Sequence, residues 1–272
     1  MIDGAGIDWE DAFLNAPYIP DGMTFPELWR TRAEAFRQQA KCELDVPYGD
    51  HPRERLDLFF PEGPSKGLAV IVHGGFWLKF DKSSWSDLAE GALAHGWTVA
   101  MPSYVLAPEA TLPEITEQVA QAISVAASRV EGPIRLSGHS AGGHLVTRMV
   151  CNDTPLTTKT AGRIERVVSI SGLHDLRPLL LHSMNENLRL DANSAAAESA
   201  ALCTALPDVK VTAWVGACER PEFLRQSALL VAAWGRQGVP IDLVTDPKRH
   251  HFDVIEGLKS ADHPLTTAFA GD

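Results

Sequence analysis

Six short runs rich in apolar, mostly β-branched residues punctuate the chain: "LAVIV" (68–72), "WTVAMPSY" (97–104), "PIRLSGH" (133–139), "IERVVSISG" (164–172), "VKVTAWVGA" (209–217) and "PIDLVTD" (240–246). Runs of this kind suit strands covered on both faces of a parallel sheet. Helical patterns separate most of them. In "LPEITEQVAQAISVAASRV" (112–130), Ile115, Val119, Ile123, Ala126 and Val130 share one face. "PEFLRQSALLVAAWGRQG" (221–238) opens on Pro221 and stops at Gly238, proline just inside the start and glycine past the end. Alternation of strand and helix implies a parallel sheet with helices on both faces and right-handed crossovers.

Two earlier segments, "CELDVPYG" (42–49) and "ERLDLFFPEG" (54–63), alternate apolar with polar residues before Pro/Gly turns, as half-buried strands do. The expected sheet therefore has about eight strands, mostly parallel and twisted. Residues 1–40 form a leader of turns and one helix, "ELWRTRAEAFRQQA", with Trp29, Ala33 and Phe36 near helical spacing. Residues 176–207 are too long for a simple crossover and read as a lid over the end of the sheet. With no internal repeat and no Pro/Gly/Ser-rich linker, residues 1–272 are expected to form one domain, the leader contributing to the cap.

Charge narrows the partners. A formal charge of −11 argues against nucleic acid and anionic membranes, and no run of about 18 apolar residues could span a bilayer. The start, "MIDGAGIDWEDAFLNAP", lacks the basic and apolar stretches of a secretory signal. Cys42, Cys151, Cys203 and Cys218 have no CxxC spacing. A cytoplasmic protein with free thiols and a small-molecule substrate is the expectation. A homodimer stays open, with no segment arguing for it.

The chemistry concentrates at two turns. Gly138-His139-Ser140-Ala141-Gly142 fits G-x-S-x-G between a buried strand and a helix. Glycines on either side let a strained serine project its hydroxyl at the sheet edge without collision. The helix opening at Ala141 aims its amides and positive dipole end at the same point. "HGGFW" (73–77) follows the strand at 68–72. A glycine pair there lets backbone amides approach and hold an oxyanion. Gly75, Phe76 and Ala141 are the expected donors, and His73 is expected to bond within its own loop.

A serine hydroxyl needs a base, itself oriented by a carboxylate, in the chain order Ser, acid, His. His251 in "PKRHHFDVIEGL" is the first choice of base, with His250 its alternative and His263 a weaker one. Glu219, after the strand at 209–217, is the first choice of acid. Glu222 and Asp175 remain open. No HExxH, P-loop or GxGxxG occurs, so neither metal nor organic cofactor is expected.

With these residues in view, the chain resembles the α/β-hydrolase superfamily, its HGG-bearing, hormone-sensitive-lipase-like branch, and within that the kynurenine formamidase (arylformamidase) group. The resemblance rests on "HGGFW" (73–77), "GHSAGGHL" (138–145) and "HHFDV" (250–254), with "SGLHDLRPLL" (171–180) and "PEFLRQS" (221–227) also similar to bacterial members. Phe76 stands where that group has tyrosine, and Gly143 where it often has alanine. The resemblance implies a serine hydrolase that cleaves an N-formyl arylamine to formate and the free amine through an acyl-enzyme. Phe76, Trp77 and lid residues such as Leu181 or Met184 would then wall the aromatic leaving group. The alternatives are a carboxylesterase for short acyl esters and a non-catalytic small-molecule binder.

Overall fold

A computed structural model describes residues 6–272, so the first five residues of the leader lie outside the described residues. Eight strands, β1 (Cys42–Pro47), β2 (Arg55–Phe59), β3 (Leu68–Val72), β4 (Thr98–Pro102), β5 (Ile134–His139), β6 (Ile164–Ile170), β7 (Lys210–Gly216) and β8 (Ile241–Asp246), form one sheet in the order β1-β2-β4-β3-β5-β6-β7-β8. β1 and β2 are antiparallel, and β2 meets β4 antiparallel. From β4 onward every pairing is parallel. This is a mostly parallel α/β sheet of eight strands.

The period of two along each strand divides the core into two layers. Along β3, Leu68, Val70 and Val72 pack into one layer while Ala69 and Ile71 pack into the other. The helices are α1 (Trp9–Ala12), α2 (Phe25–Arg37), α3 (Glu90–Ala94), α4 (Leu112–Arg129), α5 (Ala141–Arg148), α6 (Thr158–Ala161), α7 (Asn185–Leu188), α8 (Ala192–Ala197), α9 (Pro221–Gly235) and α10 (Pro264–Ala270). The first layer packs under α4, α5 and α9, the second under α2, α3 and α10.

Local chemistry sets the helix bounds. The α4 start is fixed by a capping box, in which the Glu114 carboxylate accepts from the Thr111 backbone amide at 2.7 Å. Its buried face carries Ile115, Val119, Ile123 and Ala126, the spacing expected from sequence. Among the described residues no helix is long and apolar enough to cross a membrane.

Residues 176–207 fold as short turns and helices, including α7 and α8. Leader and lid meet over one end of the sheet. Glu10 accepts hydrogen bonds from the backbone amide and hydroxyl of Ser183, at 2.5 and 2.8 Å, and Phe13 packs edge-on against His182.

Candidate active site

Ser140 links β5 to α5 with φ 55° and ψ −116°, a conformation that few L-residues occupy. Such strain costs on the order of 1–3 kcal/mol and persists only where the surroundings enforce it. Here they do. The Ser140 amide donates to the Ile170 carbonyl at 2.8 Å, and the Ser140 carbonyl accepts from His144 at 3.1 Å, closing the first turn of α5. Any Cβ on Gly138 would strike the Gly142 carbonyl, and one on Gly142 would strike that of Val72. The two glycines of the motif thus permit β3, β5 and α5 to converge under the serine.

The loop after β3 crosses directly over this turn. A Cβ on Gly74 would sit 2.9 Å from the His139 carbonyl and 3.2 Å from Ser140 Cβ. Gly75 has φ +106°, and Phe76, Trp77 and Phe80 also have positive φ. Arg53 fastens the loop from below, donating to the carbonyls of Phe80 (2.5 Å) and Tyr104 (2.7 Å). His73 stacks on Tyr104 with centroids 4.2 Å apart, and its Nδ1 lies 2.8 Å from the Gly74 carbonyl. Burial holds its pKa down at about 4, so it serves the loop as a neutral ring.

Among the described residues, the amides of Gly75, Phe76 and Ala141 have no hydrogen-bond acceptor. Free amides beside a serine at a helix start are the donors that a developing oxyanion requires. Trp77 must be corrected. Instead of walling the substrate region, it is fully buried, edge-on to His144 at 5.1 Å. The reason is energetic. Burying an indole contributes roughly 4–6 kcal/mol, enough to offset the strain of a left-handed run, and Ala107 donates to the Trp77 carbonyl at 2.9 Å.

The loops after the last two strands carry the expected base and acid. His251 Nδ1 lies 2.6 Å from Glu219 Oε2. The other carboxylate oxygen, Oε1, accepts from the Gly216 amide (2.8 Å) and the Ser171 hydroxyl (2.5 Å). The two loops are pinned together, because Cys218 donates to the Arg249 carbonyl and Ala217 to that of Asp246, both at 2.8 Å. The imidazole lies between the rings of Phe223 (4.2 Å) and His139 (4.5 Å). Burial and the neighbouring His251 drive the His139 pKa well down, leaving it uncharged.

The other candidates are engaged elsewhere. Asp175 forms a two-pronged pair with Arg177, at 2.8 and 3.0 Å. Glu222 does the same with Arg225, at 2.7 and 2.8 Å. His250 accepts from the amides of Phe252 and Asp253 through Nδ1, and His263 caps α10.

Ser140 and His251 face one cleft of about 380 Å³, whose walls include Phe13, Met23, Trp29, Phe76, Phe80, Met184 and Phe252. The Ser140 hydroxyl makes no hydrogen bond among the described residues. Met184 lines the cleft, whereas Leu181 points outward and is 59% exposed. Sequence reasoning missed Ser171 and most of the leader's share of this wall. A serine three residues before His174 carries no signal by itself. Its position after β6, beside the acid loop, would have been the only clue.

Residues 69–252 match a family described as having the alpha/beta hydrolase fold. The kynurenine formamidase of Danio rerio is 28% identical over 87% of this chain and 84% of its own length. That of Salmo salar is 29% identical over 86% and 82%. A crystal structure from a Silicibacter species, provisionally assigned as a thioesterase, shares 48% identity with a TM-score of 0.93, covering 97% of this chain and 99% of its own.

Proposed function

Starting from the fact that the chain belongs to the α/β-hydrolase fold family, we propose that this hydrolase acts through Ser140, His251 and Glu219, and that its substrate is an N-formyl arylamine of the formylkynurenine type. The observation that carries the mechanism is the 2.6 Å contact of His251 Nδ1 with Glu219 on the cleft that Ser140 faces. A carboxylate on Nδ1 keeps the proton there and leaves Nε2 as acceptor for the serine proton. Ser140 Oγ then attacks the formyl carbon. The carbonyl oxygen becomes an oxyanion held by the Gly75, Phe76 and Ala141 amides. His251 passes its proton to the departing nitrogen as the C–N bond breaks, giving the arylamine and a formyl-enzyme. A water molecule, deprotonated by the same imidazole, releases formate and restores Ser140.

The substrate class draws on two supports. Curated relatives that align over most of the chain are kynurenine formamidases. The cleft wall carries six phenylalanine or tryptophan rings and two thioethers, which suit a flat arylamine. Four free cysteines fit a reducing, cytoplasmic setting.

Ester or thioester hydrolysis is the second reading, favoured by the assignment of the Silicibacter relative. The parts required are the same, because both reactions pass through a tetrahedral oxyanion. Comparing kcat/KM for N-formylkynurenine, p-nitrophenyl acetate and a short acyl thioester decides between them, with Ser140→Ala as the blank. A formamidase favours the formyl amide strongly. Faster turnover of either ester class overturns the formyl assignment, and undiminished turnover by Ser140→Ala overturns the mechanism.

A further inference from the structure

Away from the cleft, α5 ends beside the last turn of the lid, and two cysteines meet there. The Cys151 amide region pairs with the last residues of the lid segment. Asn152 donates to the Thr204 carbonyl and Leu206 to the Val150 carbonyl, both at 2.8 Å. This bridge places Cys151 opposite Ala205 and brings Cys203, two residues earlier, to the same side. The sulfurs of Cys151 and Cys203 and a carboxylate oxygen of Asp153 lie within 4.8 Å of one another.

A third group decides what such a cluster can do. Arg148, buried, directs Nη1 to Cys203 Sγ at 3.3 Å and to Asp153 at 2.9 Å, with Nη2 on the same carboxylate at 3.0 Å. A guanidinium between the donor atoms repels a divalent cation. It favours a thiolate instead. The two sulfurs also differ in access, since Cys151 is buried and Cys203 half-buried.

We propose that Cys203 and Cys151 form a peroxide-reactive dithiol that closes to a disulfide between the turn that follows α5 and the lid. The steps balance with a hydroperoxide as oxidant. The Cys203 thiolate attacks one peroxide oxygen, an S–O bond forms, the O–O bond breaks and the leaving oxygen takes up a proton. Cys203 is then a sulfenic acid. Cys151 sulfur attacks the Cys203 sulfur, the S–S bond forms, the S–O bond breaks, and hydroxide leaves as water with the proton from Cys151. Two electrons pass from the dithiol to the peroxide.

The roles follow from the surroundings. Hydrogen bonding from Cys151 and the charge of Arg148 draw the Cys203 thiol below its ordinary pKa. The same hydrogen bond and burial push Cys151 up. Cys203 is therefore the attacking sulfur and Cys151 the resolving one.

The test treats the folded, full-length protein with hydrogen peroxide, alkylates the remaining thiols and maps the peptides by mass spectrometry. The expected product is a Cys151–Cys203 cross-linked peptide, two hydrogens lighter than the sum of its parts and restored by dithiothreitol, while Cys42 stays alkylated. Cys203→Ser should leave Cys151 fully alkylated after peroxide. Cys151→Ser should leave Cys203 as a sulfenic acid that dimedone traps. Full alkylation of both thiols in the wild type, or Cys203 stopping at sulfenic or sulfinic acid with Cys151 intact, overturns the proposal. The wild-type map decides even if Cys151→Ser does not fold.

Discussion

Two buried histidine–glutamate pairs flank the Ser140 turn, and their difference separates the pair proposed as catalytic from a structural one. In the first, Glu219 receives an amide and a hydroxyl but no cation, and its remaining oxygen meets His251 at 2.6 Å. In the second, His144 lies one turn into α5 and its Nε2 contacts the Glu198 carbonyl oxygen at 2.8 Å. The Glu198 carboxylate is taken by the Thr116 hydroxyl at 2.7 Å and by Arg148 at 3.4 Å. Its charge is spent on Arg148, so little remains to stabilise an imidazolium. Burial and Arg148 hold the His144 pKa down at about 3. A His–Glu pair becomes a base only where the carboxylate has no competing cation and the ring opens on a cleft.

The most severe break in this comparison is Glu219→Gln. The amide can still contact His251 and keep the fold. It removes the charge that stabilises the protonated ring and admits the wrong tautomer. A loss of about 10³–10⁴-fold in kcat is expected, with KM little changed. Steady-state kinetics on the preferred substrate reads it. A loss below tenfold would mean that Glu219 only fills space.

Glu198→Ala should give the opposite profile. It leaves Arg148 without one partner and Thr116 without its acceptor, both buried. Removing one member of a buried pair costs about 3–5 kcal/mol. Denaturant unfolding should register that loss, while kcat per folded molecule stays within a few-fold. A thousandfold fall in kcat with normal stability would erase the distinction between the pairs.

This contrast also explains what the sequence could convey. The order of strands and helices was legible, because buried runs and helical periodicity are local signals. Ser140 and the glycine loop were legible because steric demand at a tight turn writes glycines at fixed offsets. Glu219 ranked above Glu222 and Asp175 on its distance from β7, but the rivals could be set aside only in three dimensions. Arg177 and Arg225, which occupy them, are ordinary charged residues in the chain. Trp77 illustrates the reverse limit. Its place beside the glycine loop in sequence points to the substrate wall, yet a left-handed run turns it into the core. Part of the wall comes from Phe13, Met23 and Trp29, more than a hundred positions from Ser140, and no local pattern signals that approach.

The weakest expected effect concerns acid. His73 titrates at about 4, and His144 and His174 at about 3, all depressed chiefly by burial. Unfolded, each takes up its proton near pH 6.5. Between these values the unfolded chain binds more protons, so stability is lost as pH falls below about 6.5. Asp87 acts in the opposite sense. Burial raises it to about 6, so below that pH the folded state holds a proton that the unfolded chain acquires only near 3.9. These three imidazoles and His139, also driven well down by burial, outnumber the one carboxyl, so the net slope runs towards lower stability as pH falls through this range. Urea unfolding at pH 7, 6 and 5 measures this slope. His144→Gln should reduce it by about one proton, roughly 1.4 kcal/mol per unit, since glutamine cannot titrate. An unchanged slope would show that His144 already carries its proton in the fold.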